Sequence, residues 1–198
     1  TLFPYTTLFR STRQPQCAAI VCCRKCASGA VSVLDSRITL TIADGIRIVV
    51  PDSLNLITPY VLLEQQDWFE DELRFVRSVL QPGWVAIDIG ANYGVYTLSM
   101  AQVVGSSGAV YAFEPASKTA GFLRESIAVN GFSQIVLEQK ALSNAAGSLP
   151  LTLHENSELN SLASAGAAQG ADVEWVEVST LDVCMDRLRW PRVDFMKI

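Results

Sequence analysis

The chain holds one histidine, His154, and four of its five cysteines (Cys17, Cys22, Cys23, Cys26) fall in the single run "CAAIVCCRKC". One histidine excludes a multi-histidine metal centre. A structural zinc site built on Cys23-x-x-Cys26 needs a second ligand pair, and the other cysteine and histidine, Cys184 and His154, are far away in sequence. No metal is therefore expected. Positive charge is also short: 15 Lys and Arg stand against 20 Asp and Glu, a formal net charge of -5. Without a basic field to collect phosphates, a nucleic-acid substrate is disfavoured and small molecules are the expected partners. Long apolar runs are missing as well. "AAIVCC" is cut off by Arg24 and Lys25, too short for a membrane span and poor as a signal-peptide core. No membrane span and a cytoplasmic location are expected; the sequence says nothing of oligomeric state.

What is present is an ordinary globular composition, 49% hydrophobic and 18% charged over 198 residues, enough for one domain with a sizeable core. The two ends depart from it. "TLFPYTTLFRS" has no amphipathic period and matches the translation of a widely used sequencing-library adapter, so it is set aside from fold reasoning. Residues 1–36 are read as artefact or disordered, with the cysteine run inside them. At the other end "VDFMKI" stops in the middle of a strand-like run, and the chain reads as cut at both ends.

Between the ends, "RITLTIADGIRIVV" alternates apolar and polar residues on both sides of Asp44-Gly45, which predicts a tight hairpin over residues 37–50. After a loop, "DWFEDELRFVRSVL" places Phe69, Leu73, Val76 and Leu80 at helical spacing, with Arg74 and Arg77 late in the segment, where the helix dipole favours them. Pro82-Gly83 ends this first region, residues 37–83. From residue 84 the pattern repeats as strand, turn, helix: "WVAIDI" with "GVYTLSMAQVV", "AVYAFE" with "SKTAGFLRESIAVN", then "IVLEQKAL". Such alternation predicts an α/β fold, a doubly wound, mostly parallel sheet with helices on both faces. "SLPLTLHE" and "VEWVEVST" predict an antiparallel pair joined by a mobile loop, "NSLASAGAAQGAD". Asp182 is the expected cap of a short helix with Val183, Met185 and Leu188, after which "VDFMKI" returns to the sheet as its fourth strand.

The turn after the first of these strands is "DIGANYG". A dinucleotide turn, G-x-G-x-x-G, lets backbone amides approach a pyrophosphate. Here Gly90 and Gly94 are four apart, and Asp88 ends the strand just before them. A carboxylate there suits a ligand with a cationic end and no pyrophosphate, such as S-adenosylmethionine. Glu114 ends the next strand and projects from the same edge, where a carboxylate accepts hydrogen bonds from ribose hydroxyls.

Six ordered segments, "AIDIGANYGVYTLSMA", "VYAFEP", "ESIAVNGF", "KALSNAAG", "STLD" and "VDFMKI", together resemble the FkbM family of S-adenosylmethionine-dependent methyltransferases, over roughly residues 38–198. The resemblance implies a class I, Rossmann-like methyltransferase fold, truncated at its C-terminus. It implies a partial cofactor-binding domain over residues 84–198, and methylation of a hydroxyl on a sugar, glycolipid or natural product. It places Asp88, Gly90, Asn92, Tyr93 and Gly94 under the methionine half of the cofactor, with Thr97 adding a hydroxyl. Glu114 becomes the ribose acceptor, and Ala141 and Leu142 line the adenine. Pro115 becomes a strand stop and Asn130-Gly131 a helix cap. The acidic residue expected near the reacting centre falls after Ile198, so no catalytic base is assigned.

Plainer readings stand beside these. Asp88 would cap the following helix, Gly90 and Gly94 would allow close packing, and Tyr93 and Tyr96 would be packing aromatics. His154 reads as a surface histidine, and Glu64, Glu70 and Asp71 as a solvated helix face. Two other functions are weighed: a truncated fragment without catalysis, and an NAD-binding oxidoreductase.

Overall fold

A strand that must be buried on both faces needs apolar residues at every position, and "VAIDI" and "AVYAF" meet that condition apart from Asp88. In the computed structural model, which describes residues 36–162, 172–190 and 192–198, they are the centre of a parallel sheet. The cysteine run and most of the Ala/Ser/Gly-rich stretch lie outside the described residues.

The chain opens with an antiparallel hairpin, β1 (Arg37–Thr41) and β2 (Arg47–Pro51), in register from Arg37 opposite Pro51 to Thr41 opposite Arg47. Asp44 and Gly45 take positive φ in its turn, 60° and 73°, as the sequence predicts. Helix α1 (Ile57–Gln65) follows where the sequence reading left a loop. "ITPYVLLEQ" has no polar stripe to betray a period, and Pro59 sits in the first turn, where a missing N–H costs nothing. Helix α2 (Asp71–Val79) buries Leu73 and Val76 with Leu80 just beyond it. Phe69 does not join them: it precedes the helix and is 51% exposed.

The parallel sheet comprises β3 (Val85–Ile89), β4 (Ala109–Phe113), β5 (Ile135–Glu138) and β10 (Phe195–Lys197), in the order β10-β3-β4-β5. Crossover helices α3 (Val95–Val104) and α4 (Ser117–Asn130) join β3 to β4 and β4 to β5. Ala86, Val110 and Ala112 face them, in one core with the hairpin and with Leu73, Leu98 and Phe122. The alternate residues Ile87 and Phe113 face α5 (Leu181–Leu188), packing on Cys184 and Trp190. The sheet is thus doubly wound, in the Rossmann-like manner expected. β10 is registered at its start by Asp194, whose N–H donates to Val85 O and whose Oδ2 accepts from Val85 N, 2.9 and 2.8 Å. Asn130 does more than precede its αL cap, Gly131: its side-chain amide accepts from Arg47 N (2.9 Å) and donates to Arg47 O (2.5 Å), tying α4 to the hairpin edge.

A second sheet has the order β6-β9-β7-β8, made of β6 (Ala141–Leu142), β7 (Gly147–Leu153), β8 (Ser161–Leu162) and β9 (Asp172–Ser179). The antiparallel pairing of β7 with β9, Gly147 opposite Val178 to Leu153 opposite Asp172, is the predicted one. "IVLEQKAL", read as one strand, is two. The chain turns at Gln139-Lys140, where Lys140 N donates to Glu138 O, and passes from one sheet to the other. The α5 cap is Thr180, whose side chain accepts from Val183 N at 3.2 Å, in place of Asp182, which lies within the first turn. Among the described residues no helix is long and apolar enough to cross a membrane.

Candidate functional site

Because β3 and β4 run parallel, with Ile89 opposite Phe113, their carboxyl ends emerge side by side, and the residues there share one edge. The turn from β3 into α3 is tied to that edge by its own amides. Gly90 N and Ala91 N both donate to Phe113 O at 2.9 Å, Asn92 N donates to Glu114 Oε2 at 2.8 Å, and Gly94 N donates to Ala91 O at 2.9 Å. Amides so used do not point outward at an anion.

The two glycines have different reasons to be glycine. Both have positive φ, 74° at Gly90 and 97° at Gly94. A Cβ on Gly94 would stand 2.3 Å from Leu123 Cδ1, whereas a Cβ on Gly90 would meet nothing within 4 Å. Gly94 lets α4 pack against the turn; Gly90 faces open space. Asn92 completes the turn at φ 52°, and its Oδ1 accepts from Ser157 Oγ at 2.8 Å.

Asp88 is fully buried, and its register partner across the sheet is Lys197. It does not cap α3. Its Oδ2 accepts from the Thr97 hydroxyl at 2.6 Å, a side-chain bond within the helix's first turn. Oδ1 has no hydrogen bond, although Lys197 Nζ lies 3.3 Å away as an ion pair. Lys197 Nζ also donates to Gly90 O at 3.3 Å and stands 5.0 Å from the centre of the Tyr96 ring.

Glu114, 6% exposed, accepts one amide on each oxygen: Asn92 N on Oε2 and Ala116 N on Oε1, 2.8 and 3.0 Å. Each oxygen keeps a lone pair for a further donor. Burial pushes its pKa up to about 7, against the lowering effect of the two amides. Asp88 and Glu114 are therefore two buried carboxylates at one edge, one beside an ammonium and one held by backbone.

A cavity of about 660 Å³ opens in front of the turn. Gly90, Asn92, Tyr93, Tyr96 and Lys197 line one side, and Trp68, Glu70 and Phe75 line the other. Sequence reasoning missed that second wall. Glu70, read as part of a solvated face, accepts from both Trp68 Nε1 and Tyr96 Oη at 2.8 Å and lies half-buried beside the cavity. Tyr96 holds its proton well above the usual tyrosine range, through burial first and the Glu70 carboxylate second. The bond from Tyr96, 26 positions away, is what ties Glu70 to the cavity wall, and a local helical pattern does not foretell it. Ser157 and Glu158 are likewise brought to the site by a loop of the second sheet, Glu158 accepting from the Thr58 hydroxyl.

The remaining predicted residues lie elsewhere or have plainer roles. Tyr93 is buried edge-on against Phe122, and burial raises its pKa. Ala141 packs with Ala116 and Leu151, and Leu142 against the α5 side of the sheet; neither lines the 660 Å³ cavity, and neither do Asp88, Thr97 and Glu114, the first two being fully buried. His154 is exposed on a smaller cavity of about 160 Å³. Glu64 and Asp71 are exposed, as read. No cluster of metal-ligating side chains occurs among the described residues.

No protein-family model matches the chain, and no curated protein does. Solved structures resemble parts of it. A putative rRNA methylase from Clostridium thermocellum is 18% identical over 36% of this chain and 39% of its own, with a TM-score of 0.35. P. horikoshii TYW2, solved with MeSAdo, is 20% identical over 54% and 37%, with a TM-score of 0.40. A SAM dependent methyltransferase from Aquifex aeolicus is 21% identical over 43% and 45%, with a TM-score of 0.34. The matched part is less than half the length of each of these proteins.

Proposed function

We propose that this chain is the cofactor-binding part of an S-adenosylmethionine-dependent methyltransferase acting on a hydroxyl of a sugar, glycolipid or natural product. The observation that carries the reading is the pair of buried carboxylates flanking a turn whose amides are already bonded. A dinucleotide site needs the reverse, free amides at the turn to meet a pyrophosphate. The amides of Gly90, Ala91, Asn92 and Gly94 are engaged inside the protein, which weighs against an NAD-binding oxidoreductase.

The residues fit the cofactor. Asp88 Oδ1 is a buried acceptor without a hydrogen bond, suited to a cationic end. Glu114 has a spare lone pair on each oxygen for the ribose hydroxyls, and the face of Gly90 is open. The cavity of about 660 Å³, lined by Gly90, Asn92 and Lys197 and not by Asp88 or Glu114 themselves, falls within the range of small-molecule pockets. Asn92 and Tyr93 shape the turn beneath. Ala141 and Leu142 are proposed at the adenine end, on the family resemblance alone.

When bound, S-adenosylmethionine supplies an electrophilic methyl on a sulfonium. The chain's part is to bind, orient and exclude water. Asp88 and Glu114 hold opposite ends of an elongated ligand, so the reacting group is fixed between two anchored points. Trp68, Phe75 and Tyr96 give apolar faces to the acceptor side, and Glu70 and Glu72 give hydrogen-bond acceptors there. That combination suits a hydroxylated, partly apolar acceptor.

Titration calorimetry with S-adenosylhomocysteine and with NAD tests the reading. Binding of the first and not the second is expected. Binding of NAD alone overturns it in favour of a dinucleotide enzyme.

A further inference from the structure

Lys197 does more than sit beside Asp88: its ammonium lies in a seat formed by the Asp88 carboxylate (3.3 Å), the Gly90 carbonyl (3.3 Å) and the Tyr96 ring (5.0 Å to its centre). A carboxylate, a carbonyl oxygen and an aromatic face are what proteins offer to a cation. Every part of the seat is anchored. Asp88 is held by Thr97, Tyr96 by its hydroxyl on Glu70, and Gly90 by its amide on Phe113 O.

The occupant is held less firmly than the seat. Its two polar distances exceed the roughly 2.7–2.9 Å of a good charge-assisted hydrogen bond, and Asp88 Oδ1 has no aligned donor. The lysine side chain is 27% exposed, against 0% for Asp88, and its flexible four-carbon stem leads to solvent. Asp88 is buried beneath it, so a ligand cation gains the free oxygen only where Nζ now stands. A buried carboxylate left bare is costly, which gives the chain a reason to carry its own cation there.

We propose that Lys197 is an internal stand-in for the ligand's cation, holding the Asp88–Gly90–Tyr96 seat in the free protein and yielding it to an incoming ammonium group. The proposal rests on the cofactor reading above and adds a selection rule to it. A ligand with an ammonium exchanges one cation for another, whereas a ligand without one leaves the lysine in place.

The test compares S-adenosylhomocysteine, which carries an ammonium, with 5′-methylthioadenosine, which does not, by calorimetry on the wild-type chain and on Lys197→Met. Removing a resident competitor that fills most of the seat raises affinity for S-adenosylhomocysteine about tenfold and leaves that for 5′-methylthioadenosine unchanged. Weaker or unchanged binding of S-adenosylhomocysteine, with 5′-methylthioadenosine still bound, overturns the exchange and leaves the cofactor reading standing. No binding of either by the wild-type chain overturns both. A second readout needs no variant. After reductive ¹³C-methylation, the lysine resonance shifted by the Tyr96 ring moves to the exposed-lysine position as S-adenosylhomocysteine saturates the protein. A resonance that stays in place overturns the proposal.

Discussion

The β3 and β4 ends of the same sheet edge carry buried carboxylates held in opposite ways. Asp88 is balanced by a hydroxyl and an ammonium, the latter not aligned as a hydrogen bond. Glu114 is balanced by two backbone amides. The consequence is electrical. The β3 end is built around a cation, while the β4 end accepts neutral donors and holds its proton up to about 7. A ligand that is cationic at one end and neutral and hydroxylated at the other matches both.

The largest effect is expected at the cationic end. Asp88→Asn keeps the shape and an oxygen for Thr97 but removes the charge. Truncating one partner of a buried charge contact typically costs about 2–5 kcal/mol, so affinity for S-adenosylhomocysteine falls by about a hundredfold, read by calorimetry. A loss below about threefold would mean that Asp88 serves the fold alone.

At the neutral end the comparison is sharpened by pH. Folded Glu114 keeps its proton to about 7, above the ordinary 4.5 of the unfolded chain. Between those values the folded state binds the extra proton. Its contribution to stability is complete below 4.5 and is lost as pH rises through about 7, up to about 3 kcal/mol. Glu114→Gln removes that slope: denaturant unfolding at pH 5 and 8 shows a flatter pH dependence in the variant, which gains on the wild type at pH 8. Its affinity for S-adenosylhomocysteine falls about tenfold at pH 8, since hydrogen bonds to a charged acceptor contribute about 1.5–3 kcal/mol. A variant whose stability changes between pH 5 and pH 8 as much as that of the wild type would contradict the raised pKa.

This edge was legible in the sequence because it is made by local pattern. "DIGANYG" after an apolar strand and Glu114 after the next one fix both carboxylates, once the strands are parallel. "VDFMKI" was legible as the fourth strand for the same reason. What was not legible depends on contacts distant in sequence. Glu70 reaches Tyr96 across 26 positions and Ser157 reaches Asn92 across 65, and neither pairing leaves a trace in its own neighbourhood. Helix α1 escaped because it has no polar face, and the break in "IVLEQKAL" because a change of sheet does not alter hydropathy. The α5 cap was misplaced by two residues, Thr180 and Asp182 both being good capping types.

The smallest effect isolates the hydroxyl that orients Asp88. Thr97 is fully buried, and its hydroxyl donates to Asp88 Oδ2 at 2.6 Å. Thr97→Val fills nearly the same volume and leaves that oxygen without its donor, which costs about 1–3 kcal/mol of stability in thermal or denaturant unfolding. The carboxylate is then free to turn toward Lys197, strengthening the pair that a ligand must displace, so S-adenosylhomocysteine binds a few-fold more weakly. Thr97→Ser restores the donor but not the methyl. Binding recovers with it while stability recovers in part, because the missing methyl still leaves a small cavity. If serine restored neither, packing at Thr97 would be what matters, and the difference between the two carboxylates would rest on Lys197 alone.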